Sequence, residues 1–188
     1  MATQDSRIKI KRSTVTATVP TVPSSNDHTD GTWIATDIYK GELFFNQADG
    51  VLWSRDDSGV VCLGGSASLT IASADVLTLN TTPLTIVGAV AGYAIEVISA
   101  ILKVDFNTTP YATYTNLQLY LNGSTEVQAT NAIDQTADAF SKFEPEVGAT
   151  GSIQFVENAD LLVNVGSGNP TAGDSDITVF VNYRLIPA

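Results

Sequence analysis

The fold class of this chain follows from residues 177–185, which read ITVFVNYRL. Every second position is apolar or aromatic: Ile177, Val179, Val181, Tyr183 and Leu185. Successive side chains of a β-strand point to opposite faces of the sheet, so this period of two predicts a strand with one buried face. Residues 117–121, LQLYL, repeat the alternation with three leucines. Two half-buried antiparallel strands are therefore expected.

Residues 66–188 contain further strand-like runs separated by turn residues. The candidate strands are Leu69–Ala72, Val76–Leu79, Leu84–Val87, Tyr93–Phe106, Asn116–Asn122, Glu126–Thr130, Ser152–Val156, Leu161–Val165 and Ile177–Leu185. About eight or nine closely spaced strands without recurrent helices are typical of a two-sheet sandwich. We therefore predict an all-β fold, with a jelly-roll β-sandwich over residues 66–188.

Two places in this region are irregular. The apolar positions of Tyr93–Phe106 change parity, from Ile95 and Val97 to Ile98, Leu102, Val104 and Phe106. A bulge or bend near Ser99-Ala100 is expected, because one extra residue exchanges the two faces of a strand. Within Asp134–Phe143, Ala137, Phe140 and Phe143 are spaced by three. That spacing fits a helix, whereas the alternation of Phe with polar residues fits a strand almost as well.

The first 65 residues differ in composition from the rest. Residues 1–32 begin with the basic run RIKIKR and continue into a Thr-, Ser- and Val-rich stretch that contains two prolines. Proline cannot donate a backbone hydrogen bond, so this part is expected to be an extended arm that becomes ordered only against another surface. Residues 33–65 hold three short apolar runs separated by turns at 47–50 and 56–59. They predict a small β-meander that ends in a Gly64-Gly65 hinge.

The charge is unevenly distributed along the chain. The 188 residues include 20 acidic and 9 basic ones, for a net charge of −11. Residues 1–12 carry +3, residues 13–65 carry −5 and residues 66–188 carry −9. An acidic body repels phosphate backbones, so no nucleic-acid partner is expected. The segment after Met1 is polar and the apolar stretch 84–102 is broken by glycines and Glu96, so neither a signal peptide nor membrane insertion is expected.

Residue types that carry chemistry are scarce. The one histidine is His28 in the arm, and the one cysteine is Cys62 in the meander. Three acidic pairs fall in predicted turns: Asp56 with Asp57, Glu144 with Glu146, and Asp174 with Asp176. Nucleophilic and glycosidic catalysis need a base beside a nucleophile or two carboxylates on a rigid cleft. We therefore expect no enzyme, no cofactor and no metal centre, and the oxygen-rich loop Gly166–Asp176 leaves cation binding open.

Three tyrosines cluster in residues 110–123, PYATYTNLQLYLNG. They are Tyr111, Tyr114 and Tyr120. Tyrosine together with Asn and Thr suits a face that binds carbohydrate, and it equally suits the edge of a sandwich or a subunit interface. These residues are candidate glycan contacts, and a lectin-like carbohydrate-binding module is one alternative function.

Four short segments follow a recognisable order: IKIKRS at 8–13, GELFFN at 41–46, DGVLW at 49–53 and GVV at 59–61. This order resembles the N-terminal module of tailed-bacteriophage fibre and virion proteins. Residues 104–123 and 168–186 resemble β-sandwich domains of phage structural proteins, including head fibres of the crAss-like type. The longer insert at residues 16–31 and the single copy of the meander depart from the family pattern, and they leave head or tail location open.

The resemblance implies a homotrimeric fibre on the virion surface. Its N-terminal part would anchor on capsid or tail proteins through Arg7, Ile8, Lys9, Ile10, Lys11 and Arg12, and its C-terminal sandwich would point outward. Three chains around one axis would let the undersized meander bury Trp33, Phe44, Leu52 and Trp53 together as the core of a trimeric neck. The expected protein is a non-enzymatic head-fibre-like projection, and a receptor-binding tail fibre is the alternative within this class.

Overall fold

The computed structural model describes residues 10–25, 29, 31–121, 124–145 and 156–188. These residues form twelve β-strands and one four-residue helix, so the all-β prediction is confirmed. The chain divides into two compact units, the N-terminal unit (residues 1–64) and the C-terminal unit (residues 65–188). Within the described residues, no helix has the length and apolar character needed to span a membrane.

The N-terminal unit contains β1 (Lys11–Ser13), β2 (Leu43–Asn46), β3 (Val51–Arg55) and the start of β4 (Val60–Ile71). β1 lies parallel to β2, and β2 pairs antiparallel with β3. Residues 47–50 form the turn between β2 and β3, as the sequence predicts. The next turn is closed by Asp56, whose Oδ1 accepts hydrogen bonds from the backbone N–H groups of Ser58 and Gly59.

The Gly64-Gly65 pair, predicted as a hinge, lies inside β4, and the two units divide between these residues. Gly65 is paired with Tyr183 of the neighbouring strand. A β-carbon on Gly65 would lie only 2.7 Å from Cζ of that tyrosine. The glycine therefore makes room for an aromatic ring that crosses the strand.

The C-terminal unit contains two sheets. One has the order β4, β12 (Asp176–Pro187), β6 (Tyr93–Asp105) and β9 (Ala139–Lys142), with every pair antiparallel. The other has the order β10 (Glu144–Pro145), β8 (Ser124–Ala129), β7 (Leu117–Leu121), β11 (Leu161–Val165) and β5 (Leu84–Val87). A short helix, α1 (Ser73–Val76), follows β4.

The core of this unit is built by the alternation seen in the sequence. Its fully buried side chains include Leu102, Leu117, Leu119, Leu121, Leu161, Val163, Val165, Ile177 and Val179. Each strand thus contributes every second residue to the interior, which is how a sheet with one apolar face buries it. The two half-buried strands predicted from residues 117–121 and 177–185 are confirmed.

The predicted bulge in β6 is also present. Asn182 pairs with Ser99 and Tyr183 with Val97, so Ile98 is the extra residue. Ile98 was expected on the apolar face, yet 57% of it is exposed, because a bulged residue falls out of the alternation. Residues 139–142 form a strand, which decides the open question over Asp134–Phe143.

One predicted strand is wrong and one cannot be compared. Val76–Leu79 was expected to be extended, but α1 and the turns after it occupy this region. Val76 and Leu79 are both fully buried at a spacing of three, which is the spacing of a helical turn. Most of the predicted strand Ser152–Val156 lies outside the described residues.

Candidate interaction surfaces

The basic start of the chain contacts its own meander. Lys11 Nζ donates a hydrogen bond of 2.7 Å to the carbonyl oxygen of Asp37 and lies 3.1 Å from Oε2 of Glu42. It also lies over the ring of Tyr39, 5.5 Å from the ring centroid. Lys11, predicted to contact another virion protein, is therefore engaged within this chain. Its three partners fix the direction in which β1 enters the sheet.

Asn46 holds the arm against β2. Only 1% of this residue is exposed, and its Nδ2 lies within hydrogen-bonding distance of the carbonyl oxygens of Val15 (3.1 Å) and Thr18 (3.2 Å). The same nitrogen lies 2.6 Å from Oδ2 of Asp49, and that carboxylate also accepts the N–H of Ala17. The buried amide of Asn46 and the half-buried carboxylate of Asp49 therefore form one clamp on residues 15–18.

A second buried polar group holds the arm further along. Asp37 is 4% exposed; its Oδ1 accepts the hydroxyl of Thr21 at 2.6 Å and its Oδ2 accepts the N–H of Ile34 at 2.8 Å. Both hydrogen bonds lower the pKa of Asp37, and the one from Thr21 has the larger effect. Thr21 and Asp37 also form a parallel β-bridge. The arm is expected to need a foreign surface to become ordered, but its described residues 10–25 contact their own unit.

The remaining candidate anchoring residues divide into two groups. Arg7, Ile8 and Lys9 lie outside the described residues. Ile10 is 46% exposed and Arg12 is exposed on the opposite side of β1 from its neighbours Lys11 and Ser13. Of the described part of the predicted anchor, Ile10 and Arg12 therefore remain accessible to a partner.

The four candidate neck residues do not share one environment. Phe44 and Trp53 are each 1% exposed, so their side chains leave no surface for a neighbouring chain. Leu52 is half-buried and Trp33 is 51% exposed. The two buried aromatics stabilise the single chain, and Trp33 is the large accessible residue of this set.

The three candidate glycan-contact tyrosines do not form one face. Tyr111 is 2% exposed and its hydroxyl donates a hydrogen bond of 2.5 Å to the carbonyl oxygen of Ser175. Burial, followed by the nearby carboxylates Asp176 and Asp174, raises the pKa of Tyr111. Tyr114 is 45% exposed in a loop. Tyr120 is half-buried on the side of β7 opposite the core leucines, and burial raises its pKa.

The carboxylate of Asp174, in the loop proposed for a cation, is occupied by hydrogen bonds to the loop 107–109. Its Oδ1 accepts the N–H groups of Thr108 (3.1 Å) and Thr109 (2.8 Å). Its Oδ2 accepts the hydroxyl of Thr108 (2.5 Å) and Nδ2 of Asn107 (3.2 Å). These hydrogen bonds lower the pKa of the Asp174 carboxyl below its usual 3.8. The hydrogen bond from the Thr108 hydroxyl has the largest effect, and those from the two backbone N–H groups come next.

We expect the Asp174 carboxyl to titrate below 3.8 in an NMR titration. A lowered folded-state pKa means that its contribution to stability is complete above the usual carboxyl pKa and is lost as the pH falls through the lowered value. The amides of Thr108 and Thr109 should lose protection from hydrogen exchange over that same range. In Asp174→Ala the protection should be weak already at pH 7, because alanine offers no side-chain acceptor to these two amides. A midpoint at or above 3.8 would contradict the prediction.

The residue types suited to catalysis are dispersed. Asp57 accepts a hydrogen bond from the Lys40 ammonium group, which lowers the pKa of the Asp57 carboxyl. Asp56 closes a turn. Cys62 is half-buried in β4, and His28 lies outside the described residues, as does Glu146. In the described part of the chain, no group of three His, Cys, Asp or Glu side chains is arranged to hold a metal ion.

The first sheet of the C-terminal unit has an exposed side with an unusual composition. We call this side the outer face; it consists of the even-numbered residues 176–184 of β12 and their outward-pointing neighbours on β4, β6 and β9. Phe180 and Ile101 are cross-strand partners near its centre and are 44% and 45% exposed. Phe140, which pairs with Lys103 diagonally from Ile101, is 72% exposed.

Sequence reasoning missed both Asn46 and this outer face. Asn46 stands in GELFFN without a local signal of its role, because hydrogen bonds to residues 15 and 18 cannot be predicted from neighbouring residues. Phe180 did leave a signal, since it stands at a polar position of the alternation in ITVFVNYRL. A large apolar residue on the solvent side of a strand indicates either a binding surface or a site prone to aggregation.

No family model matches this chain, and a comparison with curated proteins found no match. Among solved structures, it is similar to a chain described as the cyanophage Pam1 capsid asymmetric unit. The sequence identity is 21% and the TM-score is 0.38, and the similarity covers 64% of this chain and 82% of that chain.

Proposed function

We propose that this chain is a non-enzymatic structural protein of a bacteriophage particle. In this proposal it forms a homotrimeric, head-fibre-like projection on the virion surface, attached to the capsid by its N-terminal unit. The C-terminal unit, a jelly-roll-like sandwich, points outward. The observation that carries the proposal is that residues of the phage-like motif contact one another and hold the described part of the arm against the meander.

The motif residues act as one connected set. Lys11 of IKIKRS lies on Glu42 of GELFFN, and Asn46 of GELFFN lies on Asp49 of DGVLW. Generic turn chemistry would leave such residues unrelated in space, since turn signals act over a few neighbouring positions. Here they join segments more than thirty residues apart in the sequence, from residue 11 to residue 42 and from residue 15 to residue 46. This supports a single structural module over a chance match of short segments.

The arrangement also suggests how the unit would attach. Lys11 is used inside the chain, so it orients the strand that precedes the meander. Arg12 and Ile10 stay accessible beside it, and a basic and an apolar side chain together suit an acidic, partly apolar surface. The dispersal of the described catalytic residue types supports a structural over an enzymatic role.

The attachment is tested by co-sedimentation of the purified full chain with particles assembled without it. We expect the wild type to pellet with the particles and Arg12→Glu to bind at least about 10-fold more weakly, because a contact to a charged partner contributes about 1.5–3 kcal/mol. Lys40→Glu is the matched control, since it reverses an exposed charge in the same unit. Wild-type chain that remains in the supernatant would overturn the virion role, and equal binding of Arg12→Glu would overturn the anchor.

A further inference from the structure

The outer face of the C-terminal unit differs in charge from the unit that carries it. Residues 66–188 contain three basic residues and twelve acidic ones, for a net charge of −9. All three basic residues, Lys103, Lys142 and Arg184, lie on outward-pointing positions of this face. Glu96, Asp105 and Asp176 share it, so the described charges of the face sum to zero. This face therefore adds no net charge of its own to a contact between two copies of this acidic unit.

The charges on the face are arranged in pairs of opposite sign. Arg184 pairs with Glu96 toward one end of the sheet, and Lys103 lies 2.6 Å from Asp105 toward the other. Each end therefore presents both signs. A face of this kind is complementary to a second copy of itself, because a cation of one copy meets an anion of the other in either direction.

The centre of the face has the composition of an interface core. Phe180 and Ile101 lie side by side, with Phe140 diagonal to them. Hydroxyl and amide groups border them, including Thr70 bonded to Thr178 and Asn182 bonded to Ser99. An aromatic and aliphatic centre inside a polar border is the usual anatomy of a protein interface.

The area of the face also matches such a role. With strands about 4.8 Å apart and about 3.4 Å of rise per residue, β12, β6, β9 and the part of β4 in this unit cover about 600 Å². Contact between two such faces would bury about 1,200 Å² in total, which is the lower end of the range for specific stable complexes.

From this charge balance, pairing and area, we infer that the outer face is the surface through which copies of this chain associate. The inference goes beyond the proposed function, because a face that meets its own copy forms a two-fold pair, which is a contact additional to the three-fold contact of the proposed homotrimer. It places this surface on β12, β6 and β9 of the C-terminal unit, and not on the neck residues around Trp33.

The test is sedimentation velocity of the full chain over a concentration series. Wild type should be oligomeric, and Phe180→Lys or Ile101→Lys should raise the dissociation constant about 100-fold or more, because a charge would be buried at the centre of the contact. Trp33→Lys is the matched control: it changes a similarly exposed aromatic in the N-terminal unit and should leave the mass unchanged.

A cross-linking experiment is independent of any loss of stability. In a Cys62→Ser background, Phe180→Cys should form disulfide-linked dimers under mild oxidation, and Trp33→Cys should not. A sedimentation mass that Phe180→Lys and Ile101→Lys leave unchanged, or that falls only with Trp33→Lys, would overturn the inference and leave the virion role standing. A monomeric wild type would overturn the inference and the homotrimer, while co-sedimentation with particles would still decide the virion role.

Discussion

Replacing Gly173 by alanine is expected to destabilise the C-terminal unit by about 3 kcal/mol or more. The backbone φ of Gly173 is +116°, a conformation that residues with a β-carbon rarely adopt. A β-carbon at this position would also overlap the ring of Tyr111. The cost of the backbone strain is about 1–3 kcal/mol and that of overpacking is similar in size.

The ring of Tyr111 has little freedom to move away. Its hydroxyl donates to the carbonyl oxygen of Ser175, two residues beyond Gly173. The two loops are further joined by the bridge between Ala112 and Ala172 and by the N–H of Thr171, which donates to Ala112. Relief of the overlap would therefore break contacts on both loops at once, and this makes the expected effect large.

Gly92→Ala separates the two causes. The φ of Gly92 is +78°, but a β-carbon there would meet nothing within 4 Å. This variant should cost about 1–2 kcal/mol, the cost of the backbone alone. The free energy of unfolding of both variants is measured by urea unfolding, with hydrogen exchange of peptides from residues 65–188 as the signal. Equal losses for Gly173→Ala and Gly92→Ala would show that the Tyr111 ring yields freely.

The sequence predicts those elements whose burial follows from a local pattern, and it does not predict those that depend on residues distant in the chain. The faces of β7 and β12 were predictable, because alternation over five to nine residues reflects which side of a strand is buried. Val76–Leu79 was not, because a run of four residues fits a strand or a helical turn equally well. The exposed bulge at Ile98 was placed within one or two residues, but its side was assigned wrongly, since a bulge ends the alternation on which the assignment depends.

The candidate site was less predictable than the fold. Phe44, Trp53 and Tyr111 were expected at surfaces, yet they are buried within the single chain. Hydrophobic content alone cannot tell an interface residue from a core residue, because both bury apolar area. The roles of Lys11 and Asn46 depend on contacts with residues about thirty positions away, and these become visible only once the arm is seen to fold back on its own unit.

That folding back leads to the second large effect, on the N-terminal unit. Asn46→Ala is expected to destabilise this unit by about 3 kcal/mol and to release residues 15–18 from β2. The substitution removes the buried amide between the arm and Asp49, and it also removes the acceptor of the Ala48 N–H group. The groups left without a partner are partly buried, and each costs up to about 1–3 kcal/mol.

Both tryptophans of the chain, Trp33 and Trp53, lie in the N-terminal unit, so tryptophan fluorescence during urea unfolding reports on this unit. Gln47→Ala is the matched control: the neighbouring residue is exposed, and its contact with the arm is made by its backbone N–H, which the substitution keeps. It should change stability by less than about 0.5 kcal/mol.

Asn46→Asp refines this test. The introduced carboxylate would face Oδ2 of Asp49, which lies 2.6 Å from the Asn46 amide nitrogen, so two negative charges would meet in a buried site. The variant should be destabilised at pH 7 and should regain part of its stability on acidification, when one of the two carboxyls takes up a proton. If Asn46→Ala and Gln47→Ala unfold at the same urea concentration, the arm is not held by this clamp, and the motif loses the structural role on which the proposed function depends.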